Sequence, residues 1–212
     1  MRRRRTKILS PREAYARWAR DYPPVAHNVL MRVEQAAVMA LLPATAGRAV
    51  LDLGCGTGRY LSMFEDARRA VGVDSSPQML AEARRHAPWA DCIRADVRSL
   101  PVDDSSFDVV VCGLCLGHVD SLEVPMAEVA RVLAPGGKAV WSCFHPFGAW
   151  AGWQRTLPDG RHAVAWTAHS YADHFAAATE AGLQIDAVME PTGPTADGSE
   201  HPLALVIRAQ VI

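Results

Sequence analysis

Residues 50–58 read V-L-D-L-G-C-G-T-G. An apolar β-forming run carries one aspartate, and then glycines stand at every second position. Glycine reaches backbone conformations that a Cβ forbids, so this spacing demands a sharp turn and close approach to whatever lies beside it. A parallel sheet receives its ligands beyond the carboxyl ends of its strands, where strand order reverses. The motif therefore predicts both a buried strand and the edge of a site.

The remaining sequence repeats the same unit. Apolar runs stand at 48–53, 70–74, 91–95, 107–112 and 138–144. Helical spacing fills 11–22, 27–41, 58–66, 76–86 and 121–133, and Pro135-Gly136-Gly137 reads as a stop. A further helix, ended by Gly182, precedes runs at about 183–190 and 203–211. Continuous Val, Leu and Cys, rather than strict alternation, suits strands buried on both faces. Strand–helix alternation predicts an α/β, doubly wound sheet with helices on both faces. The helix expected at 58–66 would aim its N-terminal amides at the site.

Composition excludes other classes. The 212 residues suit one domain, with 22 basic against 23 acidic side chains, so no global field favours nucleic acid. No apolar run approaches the ~20 residues of a membrane span, and no signal-peptide pattern opens the chain. A cytoplasmic protein without a membrane partner is expected. The five cysteines lack zinc-site spacing and read as reduced, mostly buried thiols. No metal is expected. M-R-R-R-R-T-K at the start reads as a solvated terminus rather than a nucleic-acid arm.

Asp52 lies in the first strand, Asp74 closes the second, 22 positions on, and Asp96 follows the third. A carboxylate at the second strand's end can accept both ribose hydroxyls. The dinucleotide fingerprint is G-x-G-x-x-G, whereas this chain has G-x-G-x-G behind D-L. That spacing resembles motif I of the class I S-adenosylmethionine (SAM)-dependent methyltransferases. V-G-V-D-S-S-P-Q-M-L (71–80), A-D-V-R-S-L-P-V-D-D-S-S-F-D-V-V-V (95–111) and R-V-L-A-P-G-G-K (131–138) resemble their later motifs in order. The chain is most similar to the small-molecule branch that includes quinone-biosynthesis methyltransferases.

The resemblance implies a Rossmann-like seven-stranded sheet, mostly parallel with an antiparallel final strand. It implies lid helices within 1–42, a SAM-binding domain over 43–212, and a cap segment at 145–170. By the same resemblance, Gly54 and Gly56 pass close to the methionine moiety and Asp52 lies near its amino group. Asp74 takes the ribose, Asp96 the adenine amino group, and Ser75 and Val97 pack on the ring. Met79 either packs nearby or is a core residue of its helix. Cys112, at the end of the fourth strand, is grouped with this cofactor shell. Y-A-R-W-A-R-D-Y (15–22) resembles the lid helix, so Tyr15 or Tyr22 is expected on the methionine carboxylate, with Trp18 packing.

For the acceptor, a base is needed only where a proton must leave. His145, after the fifth strand, and His118, after the fourth, are the candidate catalytic residues. Trp150, Trp153 and His169 are candidates for lining the acceptor pocket. His86, His162, His174 and His201 read as surface or turn residues. The N-P-P-Y signature of base-amine methylation is absent, since that position reads C-G-L-C. The expected function is methylation of a small, apolar or aromatic metabolite, oxygen ahead of nitrogen or carbon, by a monomer or homodimer. A SAM-binding protein that does not transfer methyl, or an RNA methyltransferase, stands as the alternative.

Overall fold

The computed structural model describes residues 6–195 and 198–211. The arginines at 2–5 lie outside the described residues. Seven strands form the central sheet: β1 (Ala49–Leu53), β2 (Arg69–Asp74), β3 (Asp91–Arg94), β4 (Phe107–Gly113), β5 (Leu133–Phe144), β6 (Leu183–Met189) and β7 (Ala204–Val211). Their order is β3-β2-β1-β4-β5-β7-β6. The pairs among β1 to β5 are parallel, and β7 runs antiparallel to both β5 and β6. Strand order reverses between β1 and β4, which places a crevice beyond Leu53 and Gly113.

Alternation along β1 and β4 decides which layer each side chain enters. Leu51, Leu53, Val110 and Cys112 join one apolar cluster, and Val50, Val109 and Val111 join the other. The layers are closed by α1 (Pro11–Trp18), α2 (Val29–Leu41), α3 (Pro77–His86), α4 (Glu123–Val132), the short α5 (Phe147–Trp150) and α6 (Tyr171–Glu180). Ser10 and Ser170 cap α1 and α6, each in a reciprocal capping box with the acidic residue three positions on. None of the described helices is long and apolar enough to cross a membrane.

Three expectations are corrected. No α-helix follows the glycine turn. The stretch from 58 to 66 is a chain of turns with a single 3-10 turn at Leu61–Met63, because the Leu61 amide is taken by the Asp52 carboxylate at 2.9 Å. Pro135-Gly136-Gly137 does not precede β5 but lies within it. The pairing slips from Phe107–Leu133 to Val109–Lys138, and Gly136 takes a φ of 74° in the irregularity. His174 is not a surface residue but is fully buried, and its Nδ1 accepts the Trp141 indole N–H at 3.2 Å.

The ends of the chain's cap meet in a small second sheet. Residues Lys7–Leu9 pair in parallel with His162–Val164, which pair with Arg155–Thr156. Leu9, Ala14, Leu157 and Val164 form an apolar cluster of their own, with Tyr15 and Trp18 packed on it.

One buried carboxylate joins the layers. Glu34 of α2 is wholly buried and meets Arg59 Nη1 at 2.7 Å, Tyr60 Oη at 3.0 Å and Ser142 Oγ at 2.5 Å. Glu34→Ala leaves the Arg59 charge unpaired and should lower the unfolding free energy by about 3 kcal/mol. Urea denaturation checks this, and a loss under about 1 kcal/mol would show the cluster dispensable.

Candidate active site at the carboxyl ends of the central strands

The turn after β1 is clamped from both sides. The Gly54 and Cys55 amides both donate to the Val73 carbonyl, at 2.7 and 3.0 Å. At the end of β2, Asp74 Oδ2 accepts the Gly56 amide at 2.9 Å, while its Oδ1 accepts the Ser76 amide at 2.8 Å. One carboxylate thus fixes both the turn and the start of α3.

The glycines do different work. A Cβ on Gly54 would lie 2.3 Å from Cys115 Sγ, so that residue is small to admit the loop after β4. Gly56, with a φ of 55°, faces open space, and it is this backbone that lies bare to a ligand. Opposite, Leu114 holds a φ of 56°, a conformation uncommon for a leucine, with its amide on Ser142 Oγ at 2.9 Å.

These groups line a cleft of about 120 Å³. Of the residues singled out from the sequence, it brings together Tyr15, Asp52, Gly54, Gly56, Asp74, Ser75, Met79 and His118. Tyr22, read as the alternative to Tyr15, also lines it. The lid helix closes over the cleft through Tyr15, whose hydroxyl meets His118 Nε2 at 2.8 Å. His118 Nδ1 lies 3.2 Å from the Ala165 carbonyl and must carry the proton, which leaves Nε2 to accept from Tyr15.

Seven of the residues singled out do not line this cleft. Asp96 is held by Arg98 at 2.8 and 2.7 Å, Val97 belongs to the main core, and Cys112 is buried behind β4. His145 bonds Glu190 at 2.9 Å through Nε2 and accepts the Phe147 amide on Nδ1. His169 is buried, with Nε2 at 3.0 Å from the Val119 carbonyl. Trp150 is 84% exposed. Trp153 lines a second cavity of about 560 Å³, together with Trp18, Met31, Phe144 and Leu203, and only Arg155 borders both spaces.

Sequence reasoning missed Arg59, Tyr60 and Arg155. Arg59 directly follows the last glycine of the motif, and the charged Glu34 on the apolar stripe of α2 was a second signal. Nothing in the cap sequence marked Arg155.

Burial governs the titrations. It pushes Asp52 up to about 7, against the opposing pull of the Leu61 amide and Arg59. Asp74 is likewise raised by burial, with its amide bonds opposing. His118 is depressed to about 4 by burial and by Arg155, so it stands neutral at pH 7.

The residues lining the cleft fit the ribose and amino-acid end of SAM, while Asp96 and Val97, expected at the adenine, lie outside it. Asp74 keeps lone pairs free for a diol, Gly56 offers bare backbone, and the cleft holds a second carboxylate in Asp52. Residues 51–141 match the family described as Methyltransferase domain. A malonyl-[acyl-carrier protein] O-methyltransferase of Enterobacter lignolyticus is 38% identical over 125 residues, 58% of this chain and 49% of that protein. A demethylmenaquinone methyltransferase of Tropheryma whipplei is 39% identical over 114 residues, 52% of this chain and 48% of that protein. The chain thus spans about half the length of these curated relatives. A SAM-dependent methyltransferase structure from Mesorhizobium loti superposes with a TM-score of 0.72 at 25% identity, covering 84% of this chain and 97% of that one. The chain carries the domain and fold of the class I SAM-dependent methyltransferases.

Because the folded pKa of Asp52 lies above its ordinary value, the folded protein holds a proton that the unfolded chain releases between about pH 4 and 7. The Asp52 contribution to stability is therefore present at low pH and lost as pH rises through about 7. Asp52→Asn should gain stability relative to the parent across that window, by up to roughly 3 kcal/mol. Urea midpoints of the two proteins measured from pH 4 to 8 check it. A constant difference would show that Asp52 does not titrate as a buried acid.

Proposed function

We propose that this protein transfers a methyl group from SAM to an oxygen of a small, partly apolar metabolite. SAM supplies an electrophilic methyl group on a sulfonium sulfur. The observation that carries the reading is the second cavity, walled by Trp18, Met31, Phe144, Trp153 and Leu203, which meets the cofactor cleft at Arg155. A largely apolar space of that size beside a cofactor cleft suits an organic acceptor. The Enterobacter relative is an O-methyltransferase, which supports oxygen as the acceptor atom.

In this reading Asp74 holds the ribose, Asp52 faces the amino group, and Arg59 offers its outer edge to the carboxylate. Its Nη2 lies close to Gly113, 3.1 Å from where a Cβ would stand. Tyr15 and His118 act together as a latch. His118 is a weak base at its depressed pKa, and His145 borders neither cavity, so neither is assigned proton removal. Rate then comes from alignment and desolvation.

The test is transfer from methyl-labelled SAM into extracted small metabolites, with release of S-adenosylhomocysteine followed in parallel. Label entering a metabolite is the expected result, and cofactor turnover without transferred label would end the reading. Asp74→Ala should weaken SAM binding by roughly 100-fold, the loss of two hydrogen bonds to a charged acceptor. Calorimetric titration checks this, and affinity within about threefold of the parent would show the ribose misplaced.

A further inference from the structure

Arg155 is a cation without an anion. It stands on the first strand of the cap hairpin, and no ion pair reaches it among the described residues. Its Nη2 donates to Tyr22 Oη at 2.9 Å, while its Nη1 is buried with no hydrogen-bond partner. Around the guanidinium lie the rings of Tyr15, Phe144 and Trp18, at 5.3, 5.3 and 6.0 Å. Cation–π contact offsets part of the burial cost but satisfies no N–H donor. Among the described residues Thr57 Oγ1 and His174 Nε2 are also buried without a partner, but Arg155 is the charged one of the three, and a buried charged donor left open calls for a partner. A guanidinium calls for a planar anion, which it can meet with two parallel hydrogen bonds.

Its position tells which molecule brings that anion. Arg155 alone borders both the cofactor cleft and the apolar cavity. The methionine end of the cofactor already has Arg59 beside the glycine turn. We propose that Arg155 binds the carboxylate of the methyl acceptor, so that the substrate is an apolar organic acid. Its hydrocarbon body lies among Trp18, Phe144 and Trp153, and its head is presented at the border with the cofactor cleft. This rests on the methyl-transfer reading above. It also accounts for a cleft with no assigned base. An ionised carboxylate oxygen forms the O–CH3 bond with its own lone pair, the S–CH3 bonding pair stays on sulfur, and no proton has to leave.

The experiment is binding to the full chain saturated with S-adenosylhomocysteine, using octanoate, phenylacetate and indole-3-acetate against their primary amides. At least one acid should bind about tenfold or more tighter than its amide. Arg155→Gln should erase that preference while keeping S-adenosylhomocysteine affinity within about threefold. Arg155→Lys should keep part of it. If the acids bind no better than the amides, or none binds below about 10 mM, the proposal is overturned, and the unmodified protein alone decides this. If Arg155→Gln loses S-adenosylhomocysteine affinity while its melting temperature holds, the anion is the cofactor's own carboxylate and the proposal falls. Failure of the parent protein to bind S-adenosylhomocysteine is a separate result, which removes the methyl-transfer reading and this proposal with it.

Discussion

The Glu34 carboxylate is the point on which the arrangement turns. A charge with no solvent exposure is tolerable only if its oxygens are occupied, and here three partners from two other parts of the chain meet the carboxylate. Arg59 and Tyr60 follow the glycine turn, Ser142 belongs to β5, and Glu34 itself rides on α2. The same Ser142 hydroxyl receives the Leu114 amide and so holds the strained residue at the end of β4. Both edges of the crevice are therefore positioned by one buried group. The cleft gains a braced floor from the network, while Tyr15, Tyr22 and Arg155 wall it from above.

Polar groups on the floor divide the labour by their exposure to neighbours. Asp74 spends one lone pair on each of two amides, so it defines the turn and still presents an acceptor face. Asp52 spends one on Leu61 and is otherwise wrapped in apolar surroundings, which is why burial dominates its titration. His118, between a tyrosine hydroxyl and a carbonyl, is kept neutral and oriented. Pre-set dipoles of this kind need no reorganisation when charge develops beside them.

The fold was largely legible in the sequence because its signals are local. Apolar runs of β-formers, serine caps and glycine stops each act within a few residues, and all seven strands lie where those signals stand. The floor of the cleft was legible for the same reason, through D-L-G-C-G-T-G and Asp74. The turn at 58–66 was not. Its helical spacing is real, but a long-range acceptor, Asp52, captures the amide that an α-helix would have used. His174 escaped for a similar reason, since its polarity is satisfied by Trp141 from another layer. The acceptor side was least legible. His145 sits after β5 as expected, yet its ring is turned to Glu190, while Arg155 comes from a hairpin whose sequence carries no periodic signal. Which histidine or arginine reaches a cavity is decided by the packing of the cap, and no local pattern encodes that.

The parallel ladder between Lys7–Leu9 and His162–Val164 joins the stretch before α1 to the cap, and α1 starts two residues beyond it. Leu9, Ala14, Leu157 and Val164 pack that junction into one small core. The N-terminal strand and helix and the cap hairpin are thus packed as one unit. Tyr15, which meets His118, and Arg155, which borders both spaces, stand on parts of that one packed unit, so a substitution in this small core is felt in the cleft and in the cavity together.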